Sequence, residues 1–159
     1  MGYSAKYDED FYAWTMEQAT RLREAGASGA NLPLDWENLA EEIESMGRND
    51  RRGVTSHLAT VIEHLLKLEH SPAAEPRRGW MLSVRNARRE AEKLLRESPS
   101  LKAKLPDILA DAWKDGREDA SDGLVTDSVP AADLPKDCPY TLEQVRAPDW
   151  WPENRHGLT

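Results

Sequence analysis

At 159 residues, with 39% hydrophobic and 31% charged side chains, the chain is long enough to bury a core without metal or disulfide support and too apolar for intrinsic disorder. No apolar run approaches a membrane span and no basic-then-apolar leader opens the sequence, so a cytoplasmic protein without span or secretory signal is expected. The single cysteine, Cys138, excludes an internal disulfide and a Cys-based zinc site, and a net charge of −8 disfavours a general nucleic-acid binder while leaving local patches open.

Leu and Ala together number 37 against 9 for Val and Ile, which favours helix because unbranched side chains keep their rotamers there. No segment alternates with period two, so the class is all-α: an up-and-down bundle of about four helices, one of them long, forming a single domain over residues 1–159. A helical core over about 8–122 and a Pro/Trp-rich C-terminal tail over about 124–159, packed back on it, are expected.

The first helix is expected from about Asp8 to Ala25, with Tyr7, Phe11, Trp14, Leu22 and Ala25 lining one face and Gly26 and Gly29 ending it. Asp35 is a good N-cap for the second, whose face reads Trp36, Leu39, Ile43 and Met46, then Val54, Leu58, Val61, Leu65 and Leu68. The phase is preserved across Gly47–Gly53, where two glycines make a weak link; one long helix or two collinear ones fit equally. A third helix spans about Arg77–Glu97 behind Pro72 and Pro76, with Trp80, Val84, Ala87, Ala91, Leu94 and Leu95 inward. Ser98-Pro99 opens a short turn, and a fourth helix runs from Pro106 to about Asp122, where Gly123 is expected to stop it. In the tail, Thr141 to Gln144 forms a capping-box pattern, and Trp150 and Trp151 are too large to leave in water.

Four blocks in this order carry a family resemblance: YDEDFYAWTMEQATRLR (7–23), LDWENLAEEIESMGRNDRRGVTSHLATVIEHLLKLEH (34–70), SPSLKAKL (98–105) and CPYTLEQVRAPDWWPE (138–153). The chain resembles domain-of-unknown-function family 29 of bacteria over residues 7 to 153. The resemblance implies a helical cytoplasmic protein with no assigned activity and no catalytic residues to transfer. Leu68-Glu69-His70 departs from the aromatic and Gln that relatives carry before the proline.

Two histidines lie on the apolar stripe of the long helix. His57 and His64 are seven residues apart and project within about 20° of each other, which suits a metal or proton-handling pair facing a bundle interior. Their Cα atoms are about 10 Å apart by helix rise, too far for one metal without help. Core-edge histidines satisfied by neighbouring polar groups are the favoured reading, and no cofactor is expected. Glu37, Glu41 and Glu44, with Asp107, Asp111 and Asp115, fall out of phase with the apolar seams of their helices; Glu42 flanks one. They read as solvated faces rather than a magnesium site.

Charge is blocked along the chain. Residues 71–104 carry 9 basic and 4 acidic groups, whereas 105–137 carry 3 and 9. Arg78, Arg85, Arg89 and Arg96 share one stripe of the third helix, opposite Trp80. Such a stripe suits either acidic protein faces or phosphates; the net charge favours protein. The expected function is a non-catalytic cytoplasmic interaction or adaptor protein. Nucleic-acid binding through that basic face and a His-centred metal enzyme are the alternatives. A protein partner or self-association is expected, nucleic acid less so, and no membrane.

Overall fold

The computed structural model describes residues 5–159, and every regular element among them is helical. The elements are α1 (Phe11–Ala27), α2 (Trp36–His70), α3 (Arg77–Glu97), a 3-10 segment (Pro99–Lys104), α4 (Leu105–Leu124), two 3-10 turns (Val125–Asp127 and Ala131–Asp133) and α5 (Leu142–Arg146). No helix among the described residues is long and apolar enough to cross a membrane. The chain divides into two compact units: Met1–Gly53 with Lys93–Lys104, and Val54–Glu92 with Leu105–Thr159.

In the first unit, α1 starts at Phe11 rather than Asp8, because Asp10 is the N-cap and its carboxylate accepts from the Ala13 amide at 3.0 Å. The same carboxylate accepts from the amide and the hydroxyl of Ser100, each at 2.8 Å. Ser98, expected only as a cap, accepts from the Tyr12 amide at 3.0 Å. The buried residues of α1 are Thr15 and Ala19, not the aromatic stripe read from spacing. Tyr7 remains 55% exposed and stands edge-on to Phe11 and Trp14 at centroid distances of 5.5 and 4.9 Å.

Asp35 caps α2 as expected, accepting from the Asn38 amide at 3.2 Å. The helix runs unbroken through Gly47–Gly53. Among its buried residues, Ala40, Gly47, Val54, Val61 and Leu68 follow a strict seven-residue spacing, while Leu39 and Met46 are exposed, at 39% and 45%. Small residues explain that rotation. A side chain at Gly47 would collide with Thr15, so α1 and α2 approach where neither carries bulk.

The acidic run lies on an exposed face, as expected, with Glu37, Glu41 and Glu42 exposed and Glu44 partly covered, but it is paired rather than bare. Arg23 meets Glu37 at 3.0 Å, Glu41 at 3.6 Å and Glu44 at 2.5 Å, and Arg48 meets Glu41 at 2.5 Å and Glu44 at 3.1 Å. The Arg23 hydrogen bond holds the Glu44 carboxyl below its ordinary value, against a smaller opposing effect of burial.

In the second unit, Leu58, Val61, Ile62, Leu65 and Leu66 of α2, Val84 and Ala91 of α3, and Ile108, Ala112, Ala120 and Leu124 of α4 form a core at most 1% exposed. Gly116 permits α4 to touch α2: a Cβ there would lie 2.7 Å from the Ala59 carbonyl oxygen. Gly123 does not end α4, which continues to Leu124; a Cβ at Gly123 would lie 2.7 Å from Cε of Lys67, so this glycine makes room for a side chain.

The tail is docked, and polar side chains fasten it. Trp113 Nε1 donates to the Lys136 carbonyl at 3.1 Å, and Arg117 Nε to that of Pro135 at 2.7 Å. Thr141 and Gln144 form the capping box that opens α5. Tyr140 and Val145 are buried, at 5% and 0% exposure.

Candidate functional site

α3 owes its shape to two opposed stripes. Val84, Ala87 and Ala91 are buried on one side, while Arg78, Leu82, Arg85 and Arg89 are exposed on the other. These four sit at i, i+4, i+7 and i+11, within about 60° of one another around the helix. Arg96 continues the stripe and is also exposed. Leu82, 56% exposed, is an apolar knob on a cationic ridge that charge counting overlooked; its spacing from Arg78 was the available signal.

The ridge differs from most of the other arginines in what it touches, although exposed Arg52 of α2 also meets an asparagine, Asn49, at 3.3 Å. Arg21, Arg23, Arg48, Arg146 and Arg155 each meet a carboxylate. Arg77 and Arg117 donate to backbone carbonyls. Among the described residues, none of Arg78, Arg85, Arg89 and Arg96 has a carboxylate within ion-pair distance. Arg89 reaches only Asn86, at 3.2 Å, and the Arg85 guanidinium lies 5.3 Å from the centroid of the Trp151 ring.

One arginine of α3 was missed altogether. Arg88 is 3% exposed; its Nε donates to the Val145 carbonyl at 2.9 Å, and its Nη2 to those of Gln144 at 2.9 Å and Trp150 at 3.0 Å. Its guanidinium lies 5.2 Å from the Trp151 centroid. Burial pulls its pKa down to about 10, still high enough to keep the group charged at neutral pH. Its place in the apolar stripe between Val84 and Ala91 was the signal that it is buried.

The C-terminal end of α2 is a second polar cluster. Asn154 Nδ2 donates to the Leu68 and Ser71 carbonyls at 2.8 and 2.9 Å, the Arg155 amide to that of Glu69 at 2.9 Å, and His156 Nε2 to that of His70 at 3.0 Å. The tail thus satisfies carbonyls that a helix end leaves open. Above them, Glu69 receives the Tyr140 hydroxyl at 3.3 Å, and His70 Nε2 lies 3.0 Å from Glu69 Oε2 without hydrogen-bond alignment. Burial opposes ionisation of Glu69, yet the His70 ring, the Arg155 charge and the Tyr140 hydroxyl hold its carboxyl below the ordinary value. Burial, and then the adjacent Glu69 charge, push the Tyr140 phenol well up. An open groove of about 380 Å³, lined in part by Glu69, Tyr140, Trp150 and Arg155, lies over this corner. Its polar groups already serve the tail.

The two histidines singled out by spacing are half-buried rather than turned wholly inward. His64 Nδ1 donates to the Thr60 carbonyl at 2.8 Å and lies 3.8 Å from Glu63 Oε2; the carbonyl can only accept, so that nitrogen carries the proton. His57 is also half-buried. Among the described residues no group of three or more His, Cys, Asp or Glu side chains is arranged to hold a metal.

The family model described as Domain of unknown function DUF29 matches residues 6–151. The chain belongs to that family. A crystal structure of an alpha-helical protein of unknown function from Rhodospirillum rubrum is similar to this DUF29 chain, with a TM-score of 0.75, 27% sequence identity and 93% of each chain covered. Comparison with curated proteins yields no match. The DUF29 assignment agrees with the helical architecture and brings no activity with it.

Proposed function

We propose that this DUF29 protein is a non-catalytic protein-binding module of a reducing, cytoplasmic compartment, and that the exposed ridge of α3 takes an acidic partner helix. The observation that carries the reading is the set of exposed arginines without carboxylate partners around exposed Leu82. Desolvating Leu82 favours association, while guanidiniums at a seven-then-four spacing set register and partner sign. The net charge of −8 and the acidic α4 within the same unit weigh against a long polyanion as the partner.

The reading is tested by fluorescence anisotropy with a labelled amphipathic peptide carrying Glu at heptad flanks and Leu in its seam, alongside a single-stranded DNA of similar length. Peptide binding should weaken with salt and fall at least about tenfold in Arg78→Glu/Arg89→Glu, a variant that leaves Arg85 over Trp151. An affinity unchanged by the double reversal, or binding of the DNA alone, would refute it.

A further inference from the structure

The chain carries a surface complementary to its own ridge. Asp107, Asp111, Lys114 and Glu118 are exposed on α4, and they fall within about 60° of one another around that helix. Asp107, Asp111 and Glu118 have no ion-pair partner among the described residues. From Arg78 the basic ridge steps seven residues to Arg85 and four to Arg89; read backwards from Glu118, the acidic ridge steps seven to Asp111 and four to Asp107. Both ridges therefore span the same eleven residues, about 16 Å of helix.

We infer that the partner of the α3 ridge is the α4 ridge of a second copy of this chain, laid antiparallel. This deepens the proposed binding role and rests on it. In that register Arg78 faces Glu118, Arg85 faces Asp111 and Arg89 faces Asp107. Leu82 then faces Lys114, whose aliphatic stem covers it while the ammonium reaches solvent. A shift by one turn, onto Asp111, Asp115 and Asp122, matches the charges equally but sets Leu82 against the Glu118 carboxylate. The first register avoids that apolar-to-charge contact. The contact joins unlike surfaces, so each copy has one ridge of each sign to offer, and assembly either continues until a ring closes or runs on as an open filament.

The test is molar mass by sedimentation equilibrium over a concentration series of the full chain, at about 50 mM and about 500 mM salt, since exposed charge pairs are strongly screened at the higher value. The wild-type mass should rise above the monomer with concentration at low salt and fall back toward it at high salt. Arg78→Glu/Arg89→Glu and Asp107→Arg/Glu118→Arg should each be monomeric alone, with melting curves like the wild type. An equimolar mixture of the two should associate again, because each acidic α3 then meets a basic α4 and each basic α3 an acidic α4. A wild-type chain that stays monomeric at low salt, a reversal variant that still associates, or a mixture that stays monomeric would each overturn the second-copy proposal. Peptide binding that survives in a monomeric wild type would leave the basic-ridge reading standing while this inference falls.

Discussion

Arg88 of α3 donates to the main-chain carbonyl of Trp150 at 3.0 Å, so a cation beneath the tail holds the segment that carries the paired tryptophans. The same guanidinium serves Gln144 and Val145, and among the described residues it has no carboxylate within ion-pair distance. Arg88→Ala should therefore leave three carbonyls short of a donor in a buried setting. A loss of about 3 kcal/mol or more in denaturant unfolding is expected, with Arg88→Met hardly better, because hydrogen bonds to a charged group rather than volume are lost. Equal stability of Arg88→Met and wild type would show that the clamp contributes little.

Removing everything after Asp137 deletes Tyr140, Val145 and the donors on the last carbonyls of α2. The fragment should lose several kcal/mol or aggregate, since apolar surface on α2, α3 and α4 becomes exposed. Thermal melting with light scattering reads this directly; a fragment as stable and monodisperse as the full chain would contradict it.

Glu69 makes a prediction about pH. Its folded-state carboxyl is held below the ordinary value of 4.5, so its ionised form stabilises the fold. That contribution is complete above the unfolded value and is lost as pH falls through the lower folded one. Melting temperature should drop on acidification below about pH 4.5, and Glu69→Gln should be less stable at neutral pH yet flatter across that acid limb. Parallel acid limbs in the two proteins would remove Glu69 from the account.

Two glycines should respond oppositely to alanine. A Cβ at Gly116 would sit 2.7 Å from the Ala59 carbonyl oxygen and 2.9 Å from Ile62 Cβ, so Gly116→Ala should cost about 1–3 kcal/mol through overpacking. Gly79 lies in exposed helix with nothing within 4 Å of such an atom, and Gly79→Ala should stabilise by about 0.5–1 kcal/mol. Urea midpoints at constant slope separate the two signs.

We propose that the two units unfold together as one domain, because α2 and α3 each contribute residues to both. Calorimetry should show a single transition with matching calorimetric and van't Hoff enthalpies. Two resolved transitions would assign each unit its own stability.

Much of this was legible in the residues. The absence of period-two alternation gave the class, Asp35 and the Thr141 capping box marked two helix starts, and paired tryptophans behind a run of prolines indicated a tail that docks. The exposed arginines of α3 followed from one helical stripe. The metal-pair reading of His57 and His64 drew on the same spacing, but spacing along one helix says nothing about what a second element brings to the imidazoles. Arg88 was passed over because charge was read as outward.

Periodicity by itself determined which residues share a stripe, because about 100° per residue is a property of one helix. Which stripe meets a neighbour was decided only in three dimensions. At Ala40 and Gly47, α2 turns its smallest residues inward and leaves Leu39 and Met46 exposed, since close approach between helices favours the side with least bulk. Burial of Arg88 and capping of the α2 carbonyls were likewise settled by the tail, whose main-chain groups satisfy polar atoms that no local pattern can place.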